Sequence, residues 1–233
     1  MLHPQGNRIL CIGASDTGKT HESLEFARYF REREKSPKRT IVFDHTNNDS
    51  SYKGSREIKI SDLSHKLPQK GYFRVKVNLA QNPEDLKLFF DKCSMLRNTC
   101  IVLDDTTGLF RGGVPDWLIT FLGLRKNNRL EIIFQIHNIK ATAPAILENS
   151  DVWVLKQTGD SFPLKSTCPN RELVERLLKE CFAENHRNNY KNLWATRILI
   201  NEKNRIYRKD LSKPFLESYH EEINALVYIH SKP

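Results

Sequence analysis

Residues Gly13-Ala14-Ser15-Asp16-Thr17-Gly18-Lys19-Thr20 fit the pattern G-x-x-x-x-G-K-[ST] without departure. Their flanks constrain the fold as much as the motif does. The apolar run Ile9-Leu10-Cys11-Ile12 reads as a buried strand. Residues 21–30 carry Leu24, Ala27 and Phe30 at helical spacing. A strand, a glycine-bearing turn and a helix N-terminus in that order form a cradle for an anion. Backbone N–H groups of the first turn point at it, and the helix dipole favours its charge. Gly13 and Gly18 let the chain curl around phosphate oxygens without a Cβ in the way. All eight residues from Gly13 to Thr20 are therefore expected phosphate contacts. Lys19 reaches the β- and γ-phosphates, and the Thr20 hydroxyl is an expected Mg²⁺ ligand.

Strand and helix patterns alternate along the chain. Strands are expected at 8–12, 40–44, 73–77, 100–104, 131–135 and 152–155, and helices at 19–34, 83–97, 115–126 and 143–148. Continuous apolar strands such as Ile101-Val102-Leu103 and Ile132-Ile133-Phe134 suit a parallel sheet covered on both faces. The fold class is α/β: a P-loop core with a mostly parallel sheet flanked by helices, spanning 1–160. A small α+β extension, 161–233, follows. Within it, 171–182 reads as a helix, and 196–200 with 205–208 as a β-hairpin. Residues 45–70 read as an irregular surface excursion, and the tail from Pro214 to Ile229 as helical in part.

Ile101-Val102-Leu103 ends in Asp104-Asp105. An acidic pair at a strand's carboxyl end suits metal chemistry beside a phosphate loop. Asp104 is the expected Mg²⁺ residue, and Asp105 the group that orients and deprotonates the attacking water. A second apolar strand ends in Gln135, which either aims at the γ-phosphate or faces solvent. Arg125-Lys126-Asn127-Asn128-Arg129 reads on its own as a solvated charge run. No guanine-reading Asn-Lys-x-Asp segment occurs, so ATP is the expected nucleotide, with Mg²⁺.

Net charge is +9, which suits a polyanionic partner. From Asn185 to Lys213, eight Lys/Arg stand against two acids, interleaved with Tyr190, Trp194 and Tyr207. Such a stretch either tracks a phosphate backbone or forms a solvated basic face. Five cysteines without metal spacing point to a reducing cytoplasm. No apolar run approaches the roughly 20 residues of a membrane helix, so no direct membrane insertion is expected.

The order of segments resembles the FtsK/HerA superfamily. The residues concerned are Gly13–Thr20, Arg39–Asp44, Leu103-Asp104-Asp105, Arg125 followed by Ile132-Ile133-Phe134-Gln135, and Glu148-Asn149-Ser150-Asp151-Val152-Trp153. The nearest likeness is to the DNA-packaging ATPases of membrane-containing icosahedral viruses and phages. It covers about 1–158 and implies a RecA-like core, a homohexameric ring and ATP-driven translocation of double-stranded DNA. By that likeness Arg125 is the finger reaching a neighbour's site, with Arg129 as substitute, and Gln135 is the sensor. Residues 105–115 (Thr106, Thr107, Arg111, Gly112, Gly113) are candidates for the pore. A viral capsid or membrane vertex is the further partner implied, in the cytoplasm of an infected host cell or on the virion. Other readings of the same chemistry are a conjugation-type DNA pump, a helicase or recombination ATPase on single strands, and a nucleotide-dependent assembly switch.

Overall fold

The computed structural model describes residues 6–32, 39–46, 50–107, 109–110, 113–191, 193–201, 205–209 and, for the backbone alone, 219–224. Two units divide the chain: residues up to 8, 20–106 and 114–135, and residues 9–19, 107–113 and 136 onward.

In the first unit the expected apolar strands form because nearly every side chain on them is covered. β2 (Arg39–Asp44) and β5 (Thr99–Leu103) are buried throughout, as is β6 (Leu130–Ile136), whose last residue belongs to the second unit. They pair in parallel as β6-β5-β2, and β4 (Gly71–Lys76) and β3 (Arg56–Ile58) extend the array from β2. The helix α1 (Lys19–Glu32) starts on the last residues of the phosphate loop. α2 (Asp85–Ser94) buries Phe89 and Phe90. Phe89 meets Phe43 at 4.6 Å between ring centroids, and Phe90 packs on Trp117 and Phe121 of α3 (Asp116–Gly123).

Two differences from the sequence reading arise here. The helix expected at 115–126 is broken after Gly123, and a short α4 (Arg125–Asn128) follows. It closes on Arg129 in the left-handed region, at φ 54°. Residues 45–70 are not merely irregular. They supply β3, a 3₁₀ turn at Ile60–Asp62, and the buried side chains Tyr52, Ile60, Leu63 and Leu67.

In the second unit β1 (Arg8–Ile12, from Ile9) pairs in parallel with β7 (Val152–Leu155). The short helix α5 (Pro144–Glu148) precedes β7. Antiparallel β8 (Arg197–Ile200), β9 (Arg205–Lys209) and β10 (Tyr219–Asn224) then follow in order. The expected hairpin is β8–β9. Of the tail from Pro214 to Ile229, only 219–224 is described, as a strand paired with β9, and the rest of the segment expected to be helical in part lies outside the described residues. α6 (Arg171–Arg187) runs a turn beyond the expected end and buries Leu173, Val174, Leu177, Leu178 and Cys181 on one face. Among the described residues no helix is long and apolar enough to cross a membrane.

Phe90 is covered on every side and touches three aromatic rings. Phe90→Ala is expected to cost about 3–5 kcal/mol of stability, read as a lower midpoint in urea denaturation.

Candidate nucleotide and metal site

The loop from Gly13 to Lys19 lies in the second unit and is built on its own backbone. Gly13 N–H donates to the Ile136 carbonyl at 3.1 Å, and Ala14 N–H to the Gln157 carbonyl at 2.8 Å. Asp16 and Gly18 take positive φ, at 60° and 78°. Such values suit glycine, and aspartate tolerates them better than most residues. Thr17 is fully buried, and its hydroxyl donates to the Ala14 carbonyl at 2.8 Å. The Lys19 ammonium donates to the same carbonyl at 2.8 Å and to His137 Nδ1 at 3.3 Å. Ser15 and Asp16 are exposed.

Thr20, the next residue, belongs to the first unit. Its hydroxyl donates to Gln135 Oε1 at 3.1 Å. Gln135 is 1% exposed at the carboxyl end of β6. The solvent-facing alternative for Gln135 is therefore wrong, because the surrounding strands cover it. Its Nε2 is buried without a hydrogen-bond acceptor.

Asp104 follows β5 and is buried. One of its oxygens accepts from the Thr46 hydroxyl at 2.7 Å, and Thr46 also bonds Asp44 Oδ1 through both its hydroxyl and its N–H. Asp44, fully buried at the end of β2, is paired with the Arg74 guanidinium, whose Nε donates at 2.7 Å. Burial pushes the Asp104 carboxyl above the usual carboxylate range. The hydrogen bond from Thr46 pulls it back only in part, and the charges of Asp44 and Asp105 add to the rise. Tyr52 brings its hydroxyl near Asp104 and Gln135 without a hydrogen bond of good geometry, and burial raises that phenol well above its ordinary value. The Arg74 guanidinium lies 5.6 Å from the Tyr52 ring centre.

Asp105 is half-buried and turns left-handed, at φ 37°. His45 Nε2 donates to its carbonyl at 2.8 Å. Thr106 then donates twice to the Gln135 carbonyl, from N–H at 2.7 Å and from the hydroxyl at 3.0 Å. The segment after β5 is thus tied to both neighbouring strand ends.

Arg125 stands apart from this group. Its Nε donates to the Gly6 carbonyl at 3.1 Å, close to Glu131, which accepts from Asn7 N–H at 2.6 Å and Asn7 Nδ2 at 2.8 Å. That cluster is at the amino end of β6, whereas Gln135 is at the carboxyl end. At about 3.3 Å per residue the strand separates Glu131 from Gln135 by roughly 13 Å. Arg125 is therefore remote from Thr20 and Gln135 of its own chain.

Of the proposed pore residues, 108, 111 and 112 lie outside the described residues. So do Lys203 and Lys213 of the basic stretch. Arg197 in that stretch is buried and bonded to Glu180 and Glu184 of α6, and Arg208 pairs with Glu184 at 3.2 Å. These two charges are balanced within the protein, whereas Arg187 and Lys191 are exposed.

Thr20 and Asp104 fit a Mg²⁺ ion in kind. Both offer hard oxygen, and a divalent cation would offset the burial that raises the Asp104 carboxyl. Mg²⁺ commonly takes one or two protein oxygens and completes its shell with phosphate and water.

Strand, loop and helix at 8–32, with a carboxylate-ended parallel strand, define a P-loop NTPase core in an α/β fold. No protein-family model matches the chain, and no curated sequence is similar to it. Solved structures are. Genome packaging NTPase B204 from Sulfolobus turreted icosahedral virus 2, in complex with AMP, matches with a TM-score of 0.63 at 15% identity, over 92% of this chain and all of that one. Its complex with ATP-gammaS matches at 0.60 and 16%, over 90% and 98%. B204 described as the DNA-packaging ATPase of Sulfolobus turreted icosahedral virus matches at 0.52 and 16%, over 86% and 95%. At such identities the fold is what is shared. It is the fold of viral genome-packaging NTPases, the group that the motif order resembles.

A carboxyl raised by burial holds more protons folded than unfolded, so stability falls as pH rises through that window. Asp104→Asn is therefore expected to melt above wild type at pH 7 without nucleotide. The gap should close as pH falls towards about 4, where the unfolded carboxyl also protonates. Thermal melts across pH check this.

Proposed function

We propose that this chain is an ATP-hydrolysing motor that moves double-stranded DNA, working as a viral genome-packaging ATPase. The observation that carries the reading is the Thr20–Gln135 contact at 3.1 Å. It joins the last residue of a complete phosphate loop to a buried amide at a strand end, a coupling that suits hydrolysis better than storage of a nucleotide. Support also comes from fold neighbours of nearly equal length whose structures hold AMP or ATP-gammaS.

In this reading Gly13–Thr20 wrap the triphosphate and Lys19 neutralises its β- and γ-oxygens. Thr20 and Asp104 hold Mg²⁺, which supplies charge neutralisation on the phosphates when bound. Asp105 orients the attacking water and accepts its proton. Gln135 contacts the Thr20 hydroxyl and senses the γ-phosphate through its amide nitrogen. Arg125, remote from its own Gln135, acts on a neighbour's nucleotide in a homohexameric ring and stabilises charge developing on the phosphoryl group. The core, 1–160, does the chemistry. Duplex DNA occupies the ring, drawn by the chain's net positive charge. A capsid or membrane vertex anchors the motor, in the infected cell's cytoplasm or on the virion.

Steady-state ATP hydrolysis with and without long duplex DNA tests this. Wild type should be stimulated by duplex more than by single strands. Lys19→Ala should lose turnover with either. Arg125→Ala should keep ATP binding and lose about 10³-fold or more in turnover, the lower range for a missing arginine finger. Normal turnover in Arg125→Ala would reject the finger. Tight ATP binding with no response to duplex would reject the motor in favour of an assembly switch.

A further inference from the structure

The phosphate loop has a companion that the motif does not contain. A Cβ built on Gly18 would sit 3.5 Å from both Cδ1 and Nε1 of the Trp194 indole, and 3.8 Å from the Lys156 ammonium. A Cβ on Gly13 would meet the Lys156 side chain at 3.0 Å. Lys156, the residue after β7 and 2% exposed, therefore runs along the loop from its first glycine to its second. Trp194, from the segment leading into β8, brings Cδ1 and Nε1 of its indole into contact range of the second.

Buried hydrogen bonds tie the indole segment to the loop from both sides. The Lys156 ammonium donates to the Thr196 hydroxyl at 2.8 Å, and that hydroxyl donates to the Trp194 carbonyl at 2.7 Å. On the other side, Ala195 N–H donates to Asn185 Oδ1 at 3.1 Å, and Asn185 Nδ2 donates to Gln157 Oε1 at 2.9 Å. The Gln157 carbonyl accepts from Ala14 of the loop itself. Asn185 is fully buried in α6, so this bridge is rigid. Trp194 is nevertheless 44% exposed. An indole fixed against a phosphate loop with nearly half its surface open is held for something other than the core.

We infer that Trp194 is the stacking platform for the base of the bound nucleotide, and that Lys156 and Asn185 are the positioning residues that hold it at the loop. The inference rests on the reading that Gly13–Thr20 bind a nucleoside triphosphate. The chemistry follows from the parts. A triphosphate on the loop projects its nucleoside outward, an indole face presents apolar area with a π-system, and every purine has a complementary face. Stacking sets no hydrogen-bond pattern, so the site takes purine nucleoside triphosphates and leaves base identity weakly read. In this way the C-terminal extension becomes part of the nucleotide site.

Equilibrium binding of ATP-gammaS and of inorganic triphosphate to the full chain tests this. Trp194→Ala should weaken ATP-gammaS by about tenfold, within the range measured for base–aromatic stacking. It should leave inorganic triphosphate, which has no base, unchanged. Trp194→Phe should keep most of the affinity. Wild-type tryptophan fluorescence should also change on ATP-gammaS binding, and the change should vanish in Trp194→Phe. Of the other two tryptophans, Trp153 is 1% exposed and Trp117 packs against Phe90. Unchanged ATP-gammaS affinity in Trp194→Ala overturns the inference. So does an equal loss for both ligands, which would make the indole a support for the loop rather than a base platform. Failure of wild type to bind either ligand, with Lys19→Ala no different, overturns instead the nucleotide reading on which it rests.

Discussion

Parallel strands buried on both faces leave polar chemistry only at their ends. In the first unit β2, β5 and β6 run side by side in one direction, with every residue covered. Asp44, Asp104 and Gln135 stand at their carboxyl ends. In the second unit β1 and β7 do the same, and Gly13 and Lys156 follow them. Crevices at the carboxyl ends of strands are where open α/β sheets take ligands. The apolar strand interiors serve as rulers that set each functional group at a defined height.

Charge inside the first unit is arranged in series. Arg74 neutralises Asp44, and Asp44 orients Thr46, which leans on Asp104. One cation thus serves two carboxylates, the second through a hydroxyl. The arrangement leaves Asp104 buried and incompletely compensated, which suits a group whose partner is a metal ion that comes and goes with nucleotide. Full compensation by a second arginine would make a more stable protein and a poorer metal ligand.

Much of the fold was legible because its strands are continuous apolar runs and its phosphate loop is a contiguous motif. Legibility failed where side-chain pattern and structure part company. The exposed residues of β3 show no alternation, and β10, Tyr-His-Glu-Glu-Ile-Asn, reads as polar and is held by backbone pairing with β9. α6 outran its apolar stripe because its last turns carry Glu184 and Asn185, whose partners Arg197 and Ala195 come later in the chain. Within the site, Lys19, Thr20, Asp104 and Gln135 could be named from the motif and from strand ends. Thr46, Tyr52, Arg74, Lys156 and Trp194 could not. The first three surround Asp104 and the last two lie along the phosphate loop, each from a distant segment, and only the closed fold reveals it. Signals existed for two of them: a lone lysine directly after an apolar strand, and a tryptophan amid basic residues.

The left-handed turn at Asp105 restricts which residues this position can hold over evolutionary time. Asparagine, aspartate and glycine enter that region of backbone space readily, and longer side chains do so rarely. A glutamate would reach further but enters that backbone region less readily, at a cost to the turn whose carbonyl accepts from His45. The short acid is thus the carboxylate this backbone takes at least cost, and drift at this position is biased towards asparagine and glycine rather than towards a longer acid.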